Sequence, residues 1–145
     1  MDILVCSIQG QRYGLDLNKV QSVVLAVEST ELPNAPDYFL GAINVHGEIT
    51  LVVDMRKLFG LPIKELEIND HFILCKIHKK QVALWVDQVK HIKHYREEEF
   101  IPAEQVLPEL SGLQYVLKEE GQITLVYDLE KILPSNVISL GCGSI

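Results

Sequence analysis

The sequence predicts an all-β fold, mainly strand with short helices. It is read as two homologous five-stranded β-barrel subdomains packed around a shared hydrophobic core. The first observation behind this is an internal repeat. Residues 47–59 (GEITLVVDMRKLF) and 121–133 (GQITLVYDLEKIL) are identical at seven of thirteen positions, at a constant offset of 74. Upstream, 3–23 (ILVCSIQGQRYGLDLNKVQSV) faces 72–92 (FILCKIHKKQVALWVDQVKHI) at an offset of 69, with four identities in twenty-one and ten positions apolar in both. Gly41 and Gly112, at an intermediate offset of 71, open the stretch leading into each GxITLV run. The second observation is run length. Each half holds roughly five short apolar, β-branched-rich runs, too short for a broad open sheet and suited to small closed barrels. The domain is placed at 1–135, with half-repeats of about 1–66 and 67–135 and a C-terminal tail at 136–145.

Taken in order, ILVCSI and YGLDL read as strands joined by a polar QGQR turn. Pro33 and Pro36 then bracket a stiff entry, and Gly41 and Gly47 flank a polar corner. Such a long connection between strands is where a rigid scaffold tends to hold binding residues. After the strand EITLVV, Asp54 stands before MRKLF. A carboxylate there can accept from free backbone N–H groups, so Asp54 is expected to cap one or two helical turns that Gly60 and Pro62 end. Ile63–Asp70 is the most polar junction. FILCKI, an HKKQ turn and VALWV repeat the first two strands. Strand alternation turns Trp85 away from Val82, Leu84 and Val86, which makes it a candidate exposed interface anchor or a cover for one barrel end. The run Glu97–Glu98–Glu99 reads as a solvated face or turn. QITLVY closes the second half, with Asp128 as the cap of LEKIL and Pro134 as its stop.

Composition removes several classes. A chain of 145 residues with 48% hydrophobic content can bury a sizeable core, which argues against wholesale disorder. Thirteen basic against twenty acidic residues give 13 − 20 = −7, a poor charge for nucleic acid or anionic membranes. Aromatic content of 7% likewise disfavours an oligonucleotide-binding barrel. No stretch of eighteen apolar residues occurs and the start resembles no signal peptide, so a soluble, cytoplasmic protein without membrane insertion is expected. Three widely spaced cysteines form no disulfide framework.

The chemistry-bearing residues do not assemble a site. His91 and His94 are three apart on a strand and fall on opposite faces, so no metal is expected there. His71 and His78 are placed at strand ends in water. Cys6 and Cys75, equivalent in the two copies, read as buried strand thiols, and Cys142 as an exposed thiol in the tail. No GxGxxG or GxxxxGK[ST] loop is present. Asp54 and Asp128 could pair for acid–base work, but capping explains both better. The expectation is therefore no enzyme, no cofactor and no metal.

The segments YGLDLNKVQSV (13–23), LPNAPDYFLGAINVHG (32–47) and EITLVVDMRKLFG (48–60), with VALWVDQVKHI (82–92), SGLQYVL and GQITLVYDLEKIL, resemble in order the CheW family of bacterial chemotaxis coupling proteins. The resemblance spans essentially residues 2–134. It implies two five-stranded barrels, no enzymatic activity, and an adaptor that joins a CheA-type histidine kinase, through its regulatory domain, to the cytoplasmic tips of chemoreceptors. With only this module in the sequence, a stand-alone adaptor at receptor arrays is implied. Position by position it places a receptor-binding groove at Val20, Ser22, Asn44, His46, Gly47, Val89 and Ile92. A kinase-binding surface is placed at Gly41, Ile43 and Val45. Val20 and Val89 have an equal reading as core between the barrels. Ser22 and His46 stand where the family commonly has Glu and Arg, which suggests either a retuned partner set, such as an array controlling pili or development, or drift of a weak ion pair. A small-ligand-binding barrel is the rival from another class and requires a deep pocket with convergent polar groups.

Overall fold

Four tight hairpins organise the chain, and each turns on two residues with positive φ. These are Gln9–Gly10, His46–Gly47, His78–Lys79 and Glu120–Gly121. Two consecutive residues of that kind make the I′ geometry, whose twist matches the strands it joins. The computed structural model describes residues 1–106 and 112–133. The predicted tail and Cys142 lie outside them. The first half contains β1 (Asp2–Ile8), β2 (Gln11–Asp16), β3 (Val20–Leu25), β4 (Phe39–Val45), β5 (Glu48–Asp54) and α1 (Met55–Leu58). The second contains β6 (His71–Ile77), β7 (Lys80–Val86), β8 (Gln88–His94), β9 (Ile101–Pro102), β10 (Leu113–Glu119), β11 (Gln122–Tyr127) and α2 (Leu129–Ile132).

The strands form two sheets, ordered β8-β1-β2-β11-β10-β9 and β3-β6-β7-β5-β4. Each sheet combines strands from both sequence halves. β1 and β2 leave their own half to pair with β8 and β11, while β6 and β7 pair with β3 and β5. The two sheets nevertheless repeat each other residue by residue. Val20 faces Cys75 as Val89 faces Cys6, and Leu51 faces Val82 as Leu125 faces Tyr13. Even the register shifts coincide, between Val20 and Ser22 in β3 and at the matching point of the β1–β8 pair. The repeat is thus a pseudo-two-fold with exchanged strands.

Among the described residues no ladder joins the two outer edges of either sheet, so the expected closed barrels are not closed by strand pairing. One chain segment spans each gap instead. After β3 the chain crosses to β4 through the Thr30–Ala42 bridge, and after β8 it crosses to pair β9 with β10. This bridge also explains Gly41. A Cβ there would lie 2.4 Å from the Thr30 carbonyl oxygen, so the crossing chain fits only against glycine. Gly41 and Gly112 are not structural equivalents. Tyr115 takes the register position of Gly41, and Gly112 that of Tyr38, since their carbonyls accept from the two capping aspartates alike.

Four apolar clusters lie among the described residues, three large ones and a small one of Ala103, Leu113 and Val116. The largest lies between the sheets and includes Leu4, Cys6, Leu15, Leu51, Val53, Ile73, Cys75, Val82, Leu84 and Val86. Ile43, Val52, Phe72, Leu74, Ala83 and Trp85 fill the second sheet's concavity. Ile3, Val5, Tyr95, Leu117 and Val126 fill that of the first. The apolar space left at the centre, beside Cys6, Tyr13, Phe59 and Tyr127, is about 10 Å³, which is at or below the room one water needs. That centre is packed solid and leaves no chamber for a ligand.

Trp85 corrects the expectation of exposure. It does turn away from Leu84 and Val86, but into the second concavity, where it is 4% exposed and its Nε1–H donates to Asp70 Oδ2 at 3.0 Å. A central strand has two buried faces, and alternation alone cannot tell an inner from an outer one.

Candidate functional site

The sequence-selected residues fall on two regions. Val20 opens β3 and Val89 lies on β8, each half-buried against the central cluster beside the core cysteines. Ser22 on β3 is exposed, and Ile92 on β8 is 57% exposed. Asn44, His46 and Gly47 form the exposed β4–β5 turn. Asn44 Oδ1 accepts from the Gly47 N–H at 2.8 Å and holds the turn, while His46 sits at φ +49°, a conformation that costs a residue with a Cβ. Following the register from Val20 through Cys75, Val82 and Leu51 to Ala42 puts this turn, the β6–β7 turn and the start of β3 at one end of the second sheet. The structure therefore groups Val20 with the glycine corner, whereas Val89 and Ile92 belong to the pseudo-symmetric strand of the other sheet.

Gly41, Ile43 and Val45 share one face of β4. Gly41 and Ile43 are buried and Val45 is half-buried, against the cluster of Phe72 and Trp85. Their side chains support a surface from below and do not form its outer layer. Neither the central apolar space nor the polar cleft described below contains any residue from either predicted set.

Sequence reasoning did not find two ion-pair clasps that lock the sheets together. Arg56, second residue of α1, is 8% exposed and donates to Asp87 Oδ2 at 2.6 Å, Pro62 O at 3.2 Å and Gln9 Oε1 at 3.3 Å. Asp87 also accepts from the Gln9 N–H at 2.8 Å. At the repeat-equivalent place, second in α2, stands Glu130. It accepts from Lys19 Nζ at 2.6 Å and from the N–H of His78 at 3.2 Å, and its carbonyl lies 2.9 Å from His78 Nε2. Gln9 and His78 are repeat equivalents, so one architecture carries opposite polarity in its two copies. Lys19 and the His78 N–H hold the Glu130 carboxyl below its ordinary range, and that hydrogen bond raises Lys19. His78, expected in water, is half-buried in this clasp; His71 is also half-buried, with an Nδ1 lacking a partner among the described residues. The signal for the clasps was present as a charge at matching repeat positions, but its opposite sign hid it.

The polar cleft beside the first clasp measures about 570 Å³ and is lined by Arg12, Arg56, Lys64 and Lys90 against Glu67, Asp70 and Asp87. Its charges are largely spent on each other. Lys64 Nζ bonds Asp70 Oδ2 at 2.6 Å, as Arg56 bonds Asp87. Burial would raise the Asp70 carboxyl, but Lys64, the Glu67 N–H and Trp85 outweigh it and hold it below its usual value. Cys6 and Cys75 are pushed up to about 12, chiefly by burial, which leaves both thiols protonated and unreactive. Among the described residues no group of three His, Cys, Asp or Glu is placed to hold a metal, and no helix is long and apolar enough to cross a membrane.

The model of the CheW-like domain matches residues 2–137. The chain belongs to the CheW-like domain family. Among its relatives, the chemotaxis protein CheW of Klebsiella aerogenes is 27% identical over 142 residues, covering 96% of this chain and 85% of the relative. The chemotaxis protein CheW of Bacillus subtilis is 23% identical over 133 residues, covering 90% and 85%. The crystal structure of the scaffolding protein TtCheW from Thermoanaerobacter tengcongensis superposes with a TM-score of 0.84 at 26% identity, over 94% of both chains. The CheW-like fold implied by the resemblance is thereby established. The paired sheets and the solid seam between them are its frame in this chain.

Proposed function

We propose that this CheW-like chain is a non-enzymatic adaptor of bacterial chemotaxis, acting in the cytoplasm at receptor arrays. It couples the cytoplasmic tips of chemoreceptors to the regulatory domain of a CheA-type histidine kinase. The observation that carries the reading is a family match along nearly the whole domain, joined to a shape shared end to end with a scaffolding protein. A solid centre and mutually neutralised polar groups fit this role, because an adaptor works by presenting surfaces and needs no tuned acid or nucleophile.

The receptor surface of this proposal is the end of the second sheet where Val20, Ser22, Asn44, His46 and Gly47 gather, with Val89 and Ile92 contributing from β8. Gly41, Ile43 and Val45 shape the kinase-facing surface from beneath. Ser22 and His46 stand in place of two side chains of opposite charge in the common family pattern, so the surface lacks that ion pair. Titrating a receptor cytoplasmic fragment onto the protein and onto a Ser22→Arg variant tests this assignment. The variant is expected to weaken receptor binding at least tenfold, about 1.4 kcal/mol, and to leave kinase regulatory-domain binding unchanged. Equal receptor affinity for both proteins would remove β3 from the surface.

A further inference from the structure

We infer that the two clasps form a recognition device, whose opposite polarity makes each half of the chain accept the other half and refuse a copy of itself. Each clasp carries one ion pair from half to half. Arg56 of the first half meets Asp87 of the second at 2.6 Å, and Glu130 of the second meets Lys19 of the first at 2.6 Å. The four residues occupy matching places, since Arg56 is the repeat equivalent of Glu130, and Asn18–Lys19 that of Asp87–Gln88. The likeness extends to the surface around them. An open cleft of about 480 Å³ lies beside the second clasp, and every residue lining it except His78 has its equivalent in the polar cleft beside the first.

The buried ladder pairs cannot choose between the halves. Cys6 faces Val89 and Cys75 faces Val20, so exchanging one half for the other leaves cysteine opposite valine. Leu125 faces Tyr13 and Leu51 faces Val82, and the same exchange leaves leucine opposite an apolar residue.

The clasps do choose. Were two first halves paired, Arg56 would face Asn18–Lys19 in place of Asp87–Gln88, cation against cation. Were two second halves paired, Glu130 would face Asp87 in place of Asn18, anion against anion. Either assembly loses its ion pairs and adds repulsion, and Arg56, at 8% exposure, would lose its carboxylate where little water can replace it. Opposite signs thus favour the right partner, and like signs act against the wrong one. The choice matters during synthesis, because the first half emerges first and can meet other first halves before its complement exists. This recognition stands independently of the proposed adaptor role.

Two variants of the whole chain with exchanged charges test the proposal. One combines Arg56→Glu with Glu130→Arg, the other Lys19→Glu with Asp87→Lys. Each sets like charge against like at both clasps within a chain, and should lose at least about tenfold in its folding constant, followed by Trp85 emission in urea. Between the two variants every clasp is again of opposite sign. Unfolded and refolded together, with one chain isotope-labelled, they should form a one-to-one complex with exchanged halves, seen by native mass spectrometry, and recover the wild-type urea midpoint. Either variant refolded with wild-type chain satisfies one clasp of the two in each module and should show no such recovery. All four substitutions in one chain should restore the wild-type midpoint without a partner. Where a variant fails to fold alone, the two rescues remain the readout. Undiminished stability of either variant would overturn the inference. So would failure of both rescues, or equal recovery with wild-type chain, which would make the clasps contacts that do not select a partner.

Discussion

At the residue scale, single carboxylates do several jobs at once. Asp54 Oδ1 accepts from the N–H groups of Arg56 and Lys57 at 3.0 and 3.3 Å, and Asp128 Oδ1 from that of Glu130 at 3.1 Å. Replacing Asp54 by Ala removes a buried cap and should cost about 1–2 kcal/mol in denaturant unfolding. Asp70 Oδ2 accepts from Lys64, Trp85 and the Glu67 N–H. Its folded pKa is depressed, so the stability it contributes is full above the unfolded value of about 3.9 and is lost as pH falls through the lower folded value. Asp70→Asn should therefore be less stable at neutral pH and lose less stability on acidification. The fluorescence of Trp85, the only tryptophan, reports both. The caps were legible because Asp stands before an apolar-charged pattern twice. Asp70 was not, because its partners arrive from the junction Lys64–Glu67 and from β7, with no local pattern to join them.

At the scale of elements, α1 and α2 act as bolts between sheets. α1 follows β5 of the second sheet and α2 follows β11 of the first, and each reaches the hairpin of the other sheet through its second residue, Arg56 or Glu130. Asp87→Ala leaves the nearly buried Arg56 guanidinium without its carboxylate. The expected loss is about 2–3 kcal/mol, below that of a fully buried pair because Asp87 keeps partial access to water. The Lys19–Glu130 pair is more exposed, and Lys19→Ala should cost under about 1 kcal/mol. Comparing the two midpoints in urea checks the order. Strand positions were readable from short β-branched runs. The faces of β4 and β7 were not, since Ile43 and Trp85 lie on strands buried on both sides, where polar alternation gives no direction.

At the scale of the whole molecule, strand exchange makes the sequence halves dependent on each other. Residues 1–66 and 67–135, expressed separately, leave β1, β2, β6 and β7 each with only its hairpin partner and without the strand from the other half. Each fragment should be unfolded or aggregated alone, and mixing should restore native Trp85 emission. Independent folding of either fragment would contradict the exchanged topology. The repeat was visible in GxITLV and its offset of 74, but which half completes which sheet was not, because both pairings bury the same apolar faces. The shared seam also predicts that Cys6 and Cys75, with thiols near 12, resist a thiol reagent at pH 8 until global unfolding, followed site by site by peptide mass analysis.

The adaptor reading requires two partners on one chain together. Size-exclusion chromatography of the protein with the regulatory domain of a CheA-type kinase and a chemoreceptor cytoplasmic fragment from the same organism measures this directly. The account predicts one ternary peak, lost for the receptor component alone when Ser22 becomes Arg. Elution of this protein free of both partners would contradict it.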